Sequence, residues 1–263
     1  MTKVERITIS VSLLAILLTQ FKPLYEYFET SDLNYDVGNY ITFQDQIGYP
    51  IILFKLNIRN SGDKFGRLKK GYIYISQLDG VYKYVGSIVN AWDRSNGGMT
   101  PFNGVFLPPR EVWNNSVFAT DMEFTSNEKF IEESAHWQDR VYAELGRYDA
   151  FEEPKPVSKE LFDEFKSWYK DRWTAFPAGV YHILFVFEEE EETKELVFQF
   201  EITDQKKNMF LKNVERYRYG EGIVMPMTTG GNMDSLLVEV NDKKIKDELI
   251  RSFSTNKHKM NRH

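Results

Sequence analysis

IILFKLNIRN, residues 51–60, decides the fold class: Ile52, Phe54, Leu56 and Ile58 alternate with Lys55, Asn57 and Arg59. A period of two apolar and polar residues is the pattern of a β-strand with one dry and one wet face. Asn60-Ser61-Gly62-Asp63 ends the run with turn-forming residues. The same strand-turn-strand rhythm extends in both directions. Upstream, residues 33–37 and 40–43 read as short strands split by Gly38-Asn39; downstream, residues 71–75 and 81–89 read as strands separated by Asp79-Gly80. Residues 180–187, apolar on both faces, predict a central strand that pairs with 195–202 across a run of five glutamates, Glu188 to Glu192. A calcium loop needs oxygens converging on a turn scaffold, which this run lacks, so it reads as a solvated hairpin tip. With 20 Phe and 15 Tyr among 263 residues, the composition favours aromatic-rich β packing.

Two helical stretches interrupt the strands. Thr125 and Glu128 form a capping-box pair ahead of Phe130, Trp137, Val141 and Leu145, with Gly146 placed to end the helix. Ser158 caps a second helix whose Leu161, Phe162, Phe165, Trp168 and Tyr169 form an apolar stripe. After residue 203 a helix carries Phe210, Val214 and Tyr217. Residues 236–240 read as a short strand, and Asp242 caps a final helix bearing Ile245, Leu249 and Phe253. The expected fold is mainly β with α additions: an immunoglobulin-like β-sandwich with an inserted helical hairpin and C-terminal helices. The expected organisation is a membrane anchor at residues 1–29, a sandwich at 30–203 with its insertion at about 126–173, and a C-terminal extension at 204–263.

The anchor rests on ITISVSLLAILLTQF, residues 7–21, which holds no charge in a chain that is 27% charged. As a helix it falls short of the roughly 30 Å hydrocarbon core, a gap that Lys22, Tyr25, Tyr27 and Phe28 can close at headgroup level. A cleaved secretory signal and a buried core helix are the rival readings. Gln20-Phe21-Lys22-Pro23 provides no small-residue cleavage site, which favours an uncleaved anchor. Thr8, Ser12, Ala15 and Thr19 fall on one helical stripe, a candidate helix-helix interface for a homo-oligomer or a partner membrane protein. Lys3 and Arg6 precede the run, whereas Glu26, Glu29 and Asp32 follow it. The positive-inside rule then expects a single-pass protein of the bacterial inner membrane with its folded part in the periplasm. The basic C-terminal residues, among them Lys257, Lys259 and Arg262, would instead suit an anionic cytoplasmic leaflet.

Chemistry is sparse. The net charge of −6 argues against a nucleic-acid partner, and the lack of cysteine removes disulfides, thiolate metal sites and thiol nucleophiles. Glu133-x-x-His136 has a di-iron spacing but no second copy, and Ser254-x-x-Lys257 stands without partner motifs, so no catalytic, cofactor or metal residue is assigned. Residues 93–109, rich in Gly and Pro, are expected to form a long irregular loop. With Trp113 just beyond it, its Asp93, Asn96 and Phe102 are candidate recognition residues. The expected function is a membrane-anchored, non-catalytic interaction or sensor subunit with membrane lipid as one partner. The alternatives are a membrane-perturbing effector of the abortive antiviral type and a hydrolase with acidic site residues.

Overall fold

The computed structural model describes residues 30–46, 49–78, 83–93, 98–121, 128–146, 155–170, 176–221 and 232–260. All of 1–29, and with it the expected anchor, lies outside the described residues. No helix among the described residues is long and apolar enough to cross a membrane.

The chain is mainly β. The strands are β1 (Leu33–Gln46), β2 (Tyr49–Asn60), β3 (Gly66–Leu68), β4 (Lys70–Gln77), β5 (Lys83–Asp93), β6 (Gly98–Pro101), β7 (Val105–Leu107), β8 (Val112–Asp121), β9 (Gly179–Glu188), β10 (Thr193–Ile202), β11 (Met233–Leu236) and β12 (Val238–Glu239). The helices are α1 (Glu128–Leu145), α2 (Lys159–Lys170), α3 (Asp204–Lys212), a 3-10 turn (Asn213–Tyr219) and α4 (Lys243–Met260).

The expectation of two stacked sheets is corrected. One antiparallel sheet runs in the order β11-β1-β2-β8-β5-β4-β9-β10-β12, with β6 beside β5 and a small β3-β7 pair apart from it. Strands with one dry face suit a sandwich and a barrel equally, so alternation alone could not separate the two. The sheet is nearly closed because its two outermost strands are consecutive in the chain. β11 pairs with β1 (Tyr40↔Leu236 to Phe43↔Met233), and β12 pairs with β10 (Phe198↔Glu239, Gln199↔Val238). Leu237 joins them: it is 8% exposed, and its N–H donates to the Asn39 carbonyl at 2.8 Å. Ser235 Oγ also donates to the Glu201 carbonyl at 3.3 Å, stitching β11 to β10. What reads as one strand at 236–240 is thus a clasp across the seam, and residues 204–263 contribute strands as well as helices.

Two further expectations change. Gly38-Asn39 is a bulge inside the continuous β1, where the register against β2 shifts between Val37 and Ile41, rather than a turn between two strands. The stretch expected as a loop at 93–109 holds β6 and β7, strands of only four and three residues that are too short for periodicity to reveal.

Inside the barrel, the alternation of β2 is realised: Ile52, Phe54, Leu56 and Ile58 are buried while Lys55 and Arg59 are exposed. Aromatic rings fill the interior. Tyr35 stacks on Phe187 at 4.4 Å, Phe54 meets Phe185 at 4.9 Å, and Tyr181 stacks on Phe200 at 5.2 Å. β9 is buried on both faces because Tyr181, Ile183, Phe185 and Phe187 point inward while Leu184 and Val186 lie in the separate cluster that holds Leu249 and Phe253 of α4. Asp242 caps α4, accepting from the Lys244 and Ile245 amides at 2.8 and 3.3 Å. His182 sits on the same outer face, 6% exposed, and burial holds its imidazole below the usual value.

The strand ends sort the helices to one end of the barrel. β8 leads to α1, α2 leads to β9 and β10 leads to α3, all at the end opposite Thr30. There Ser158 Oγ accepts from the Leu161 amide at 3.3 Å, Arg140 pairs with Glu164 at 2.6 Å, and Phe165 packs on Trp137 and on Tyr217 of the 3-10 turn. The helical hairpin therefore shares the barrel's apolar core.

Candidate functional site

The opposite end, where the chain enters the barrel, concentrates the unusual surface. Asn60, fully buried, organises it. Its Nδ2 donates to the carbonyls of Lys64, Leu107 and Pro108 at 2.7, 3.0 and 3.1 Å, and its Oδ1 accepts from the amides of Gly62 and Asp32 at 3.0 and 3.4 Å. One side chain thereby ties the entering strand, the 60–66 turn and the end of β7 together. Asp63 and Lys64 donate their amides to the Thr30 carbonyl at 3.1 and 3.3 Å. The approach is so close that a Cβ on Gly62 would lie 2.1 Å from that oxygen, so only glycine fits. Gly104, at φ 87, lets the chain turn into β7 beside Leu68.

On this framework β3 and β7 pair as Gly66↔Leu107, Arg67↔Phe106 and Leu68↔Val105. Val105 and Leu107 point into the core, so Phe106 must point out, and it stacks on Phe65 at 5.0 Å with the rings 15° apart. These phenylalanines are 65% and 56% exposed, and Val112 nearby is 53% exposed. A stacked aromatic pair exposed to water makes this the candidate interaction surface of the described residues.

The glutamate hairpin lies at the same end, and it is more structured than a solvated tip. Arg67 pairs with Glu190 at 3.8 Å, Lys194 with Glu192 at 2.8 Å, and Lys257 of α4 with Glu188. Glu189 folds inward to 9% exposure against the Tyr35 hydroxyl; burial, aided by the Glu192 charge, pushes its carboxyl above the ordinary carboxylate value. Burial and the Glu189 charge push the Tyr35 hydroxyl up as well.

Of the recognition residues expected from sequence, Phe102 and Trp113 meet edge to face at 6.4 Å, and both pack partly buried against the core. Asp93 contributes its backbone to the β5-β6 ladder opposite Gly98. Its side chain and all of Asn96 lie outside the described residues, as do Thr8, Ser12, Ala15, Thr19, Lys22, Tyr25, Tyr27 and Phe28. Phe65 and Phe106 went unrecognised in the sequence, although the alternation Val105-Phe106-Leu107 carries the signal that the middle residue faces out. Glu133, half of the di-iron spacing, accepts from the Trp168 indole N–H at 3.3 Å, a structural role between α1 and α2. Among the described residues no group of three metal-ligating side chains converges.

An outer-face groove of about 330 Å³ follows the β1 bulge, lined by Gly38, Asn39, Tyr40, Thr42, Lys55 and Ser116 among others. Thr42 is already held by Asp234 at 2.6 Å, and Lys55, the one charged residue of the lining, is exposed.

No family model matches the chain, and no curated protein matches it. A solved β-glucosidase from Erythrobacter marinus is 14% identical over 64% of this chain and 15% of its own, with a TM-score of 0.25; a likeness that slight carries no argument about fold or chemistry.

Proposed function

We propose that the chain is a membrane-anchored, non-catalytic interaction or sensor subunit: residues 7–21 span the bilayer once, and the barrel is presented on its outer, periplasmic side. The observation that carries it is the uncharged run ending nine residues before Thr30, the point where the chain is built into one end of the barrel. The flanking charges, Lys3 and Arg6 before and Glu26 and Glu29 after, support the orientation. The helical stripe of Thr8, Ser12, Ala15 and Thr19 supports self-association, since small and hydroxyl residues permit close approach and hydrogen bonds between helices in lipid.

Self-association is tested in mild detergent. The full chain is expected to sediment as an oligomer, and Ser12→Leu with Thr19→Leu is expected to convert it to monomer while leaving its circular dichroism unchanged. Monomer in both samples, with no co-purifying membrane protein, would remove the subunit reading. The same stripe favours a second reading, a membrane-perturbing effector. Growth arrest on expression that disappears with Ser12→Leu and Thr19→Leu would distinguish it from a passive subunit.

A further inference from the structure

The end of the barrel at which the chain enters carries more than its connection to residues 1–29. Phe65 and Phe106 project there as a stacked, exposed pair, and Arg67 stands directly opposite Phe106 in the β3-β7 ladder. Phenylalanine rings can insert as apolar groups at the boundary between headgroups and acyl chains, and a guanidinium beside them can reach the headgroups.

Several acidic side chains at this end are paired or turned inward, while Asp32, Glu111 and Glu191 are exposed with no ion pair among the described residues, so a contact here rests on the aromatic rings and not on charge. Asp63 pairs with Arg110 at 3.1 Å, Glu190 with Arg67, Glu192 with Lys194 and Glu188 with Lys257, while Glu189 is turned inward. The C-terminal turn of α4 reaches the same end through Lys257.

Distance decides which surface meets this end. Eight residues separate Phe21 from Thr30, and the nine backbone steps between them span at most about 30 Å when fully extended. A ten-residue strand such as β9 is itself about 33 Å long, so the Phe65-Phe106 end, where the tether attaches, stays within about 30 Å of the bilayer and is closer to it on average than the helical end. Two phenylalanines are too few to bring a free domain to a membrane; a short tether makes the contact intramolecular and removes most of that cost.

From these features we propose that the Phe65-Phe106 end of the barrel docks on the lipid headgroup layer, so that the domain rests on the membrane in a fixed orientation. This rests on the anchored reading of residues 7–21, and the test separates the two.

The chain contains no cysteine, so single-cysteine variants of the full chain report one position each. Lys64→Cys lies next to Phe65, and Met209→Cys lies on α3 at the opposite end, where Met209 is 62% exposed. Each variant is labelled with an environment-sensitive fluorophore and reconstituted in vesicles of phosphatidylethanolamine and phosphatidylglycerol with headgroup-region nitroxide lipids. The expected result is quenching at position 64 several-fold greater than at position 209, with most of the difference lost in the Phe65→Ala, Phe106→Ala background. Chain that floats with the vesicles but is quenched equally at the two positions overturns the docking while leaving the anchor intact. Chain that fails to float overturns both. Disulfide crosslinking between two unlabelled Lys64→Cys copies that persists in the Ser12→Leu, Thr19→Leu background would place a second copy on this surface and also overturns the proposal.

Discussion

Asn60→Ala is expected to destabilise the barrel by about 3 kcal/mol or more, because it strands buried carbonyls and amides that each cost about 1–3 kcal/mol when unsatisfied. The side chain is fully buried and bonds the carbonyls of Lys64, Leu107 and Pro108 and the amides of Asp32 and Gly62. Domains of this kind have about 5–15 kcal/mol in total, so the loss is a large fraction of the whole. Urea unfolding followed by tryptophan fluorescence measures it, and amide exchange at Asp63 and Lys64 should rise first. A midpoint unchanged from wild type would mean that Asn60 does not organise this end.

Leu237→Asp is expected to be as damaging, for a different reason. Leu237 is buried between β11 and β12, and an unpaired carboxylate there loses its hydration without gaining a partner, which places the change among those of about 4 kcal/mol or more. If the segment is the clasp described above, the damage is directional. Amides along β1 and β10, the strands it bridges, should exchange faster than those of β2 and β8, which are paired on both sides within the sheet. Leu237→Val, which keeps the site apolar, should cost only about 1 kcal/mol. Uniform acceleration of exchange over all strands would show that the seam has no stability of its own to lose.

How far the sequence went depends on the element. β2 and β9 were legible because each is long enough for its pattern to count: one alternates against water, and the other is covered by the core on one face and α4 on the other. α2 was legible through Ser158 and the Leu161-Phe165-Trp168 stripe, since a cap and a 3.6-residue period are local properties. The closure was not, because it depends on Leu236 and Val238 facing opposite edges of a sheet whose strands lie up to two hundred residues apart in the chain. β6 and β7 escaped because three or four residues among glycines and prolines carry no measurable period. At the candidate site the same division holds. Phe102 and Trp113 were singled out by loop composition, yet their rings turn inward, and composition says nothing about which way a ring points. Phe65 and Phe106 are exposed because Val105 and Leu107 take the core positions on either side, a fact that needs the β3-β7 register.

The central claim, that residues 7–21 hold this barrel on a bilayer, is tested most directly by alkaline carbonate extraction of membranes containing the full chain. The wild-type chain is predicted to stay in the membrane pellet and to float with lipid, while Leu14→Arg with Leu17→Arg releases it to the supernatant with its barrel folded. Wild-type chain released by carbonate, or a double variant retained as firmly as wild type, would contradict the claim.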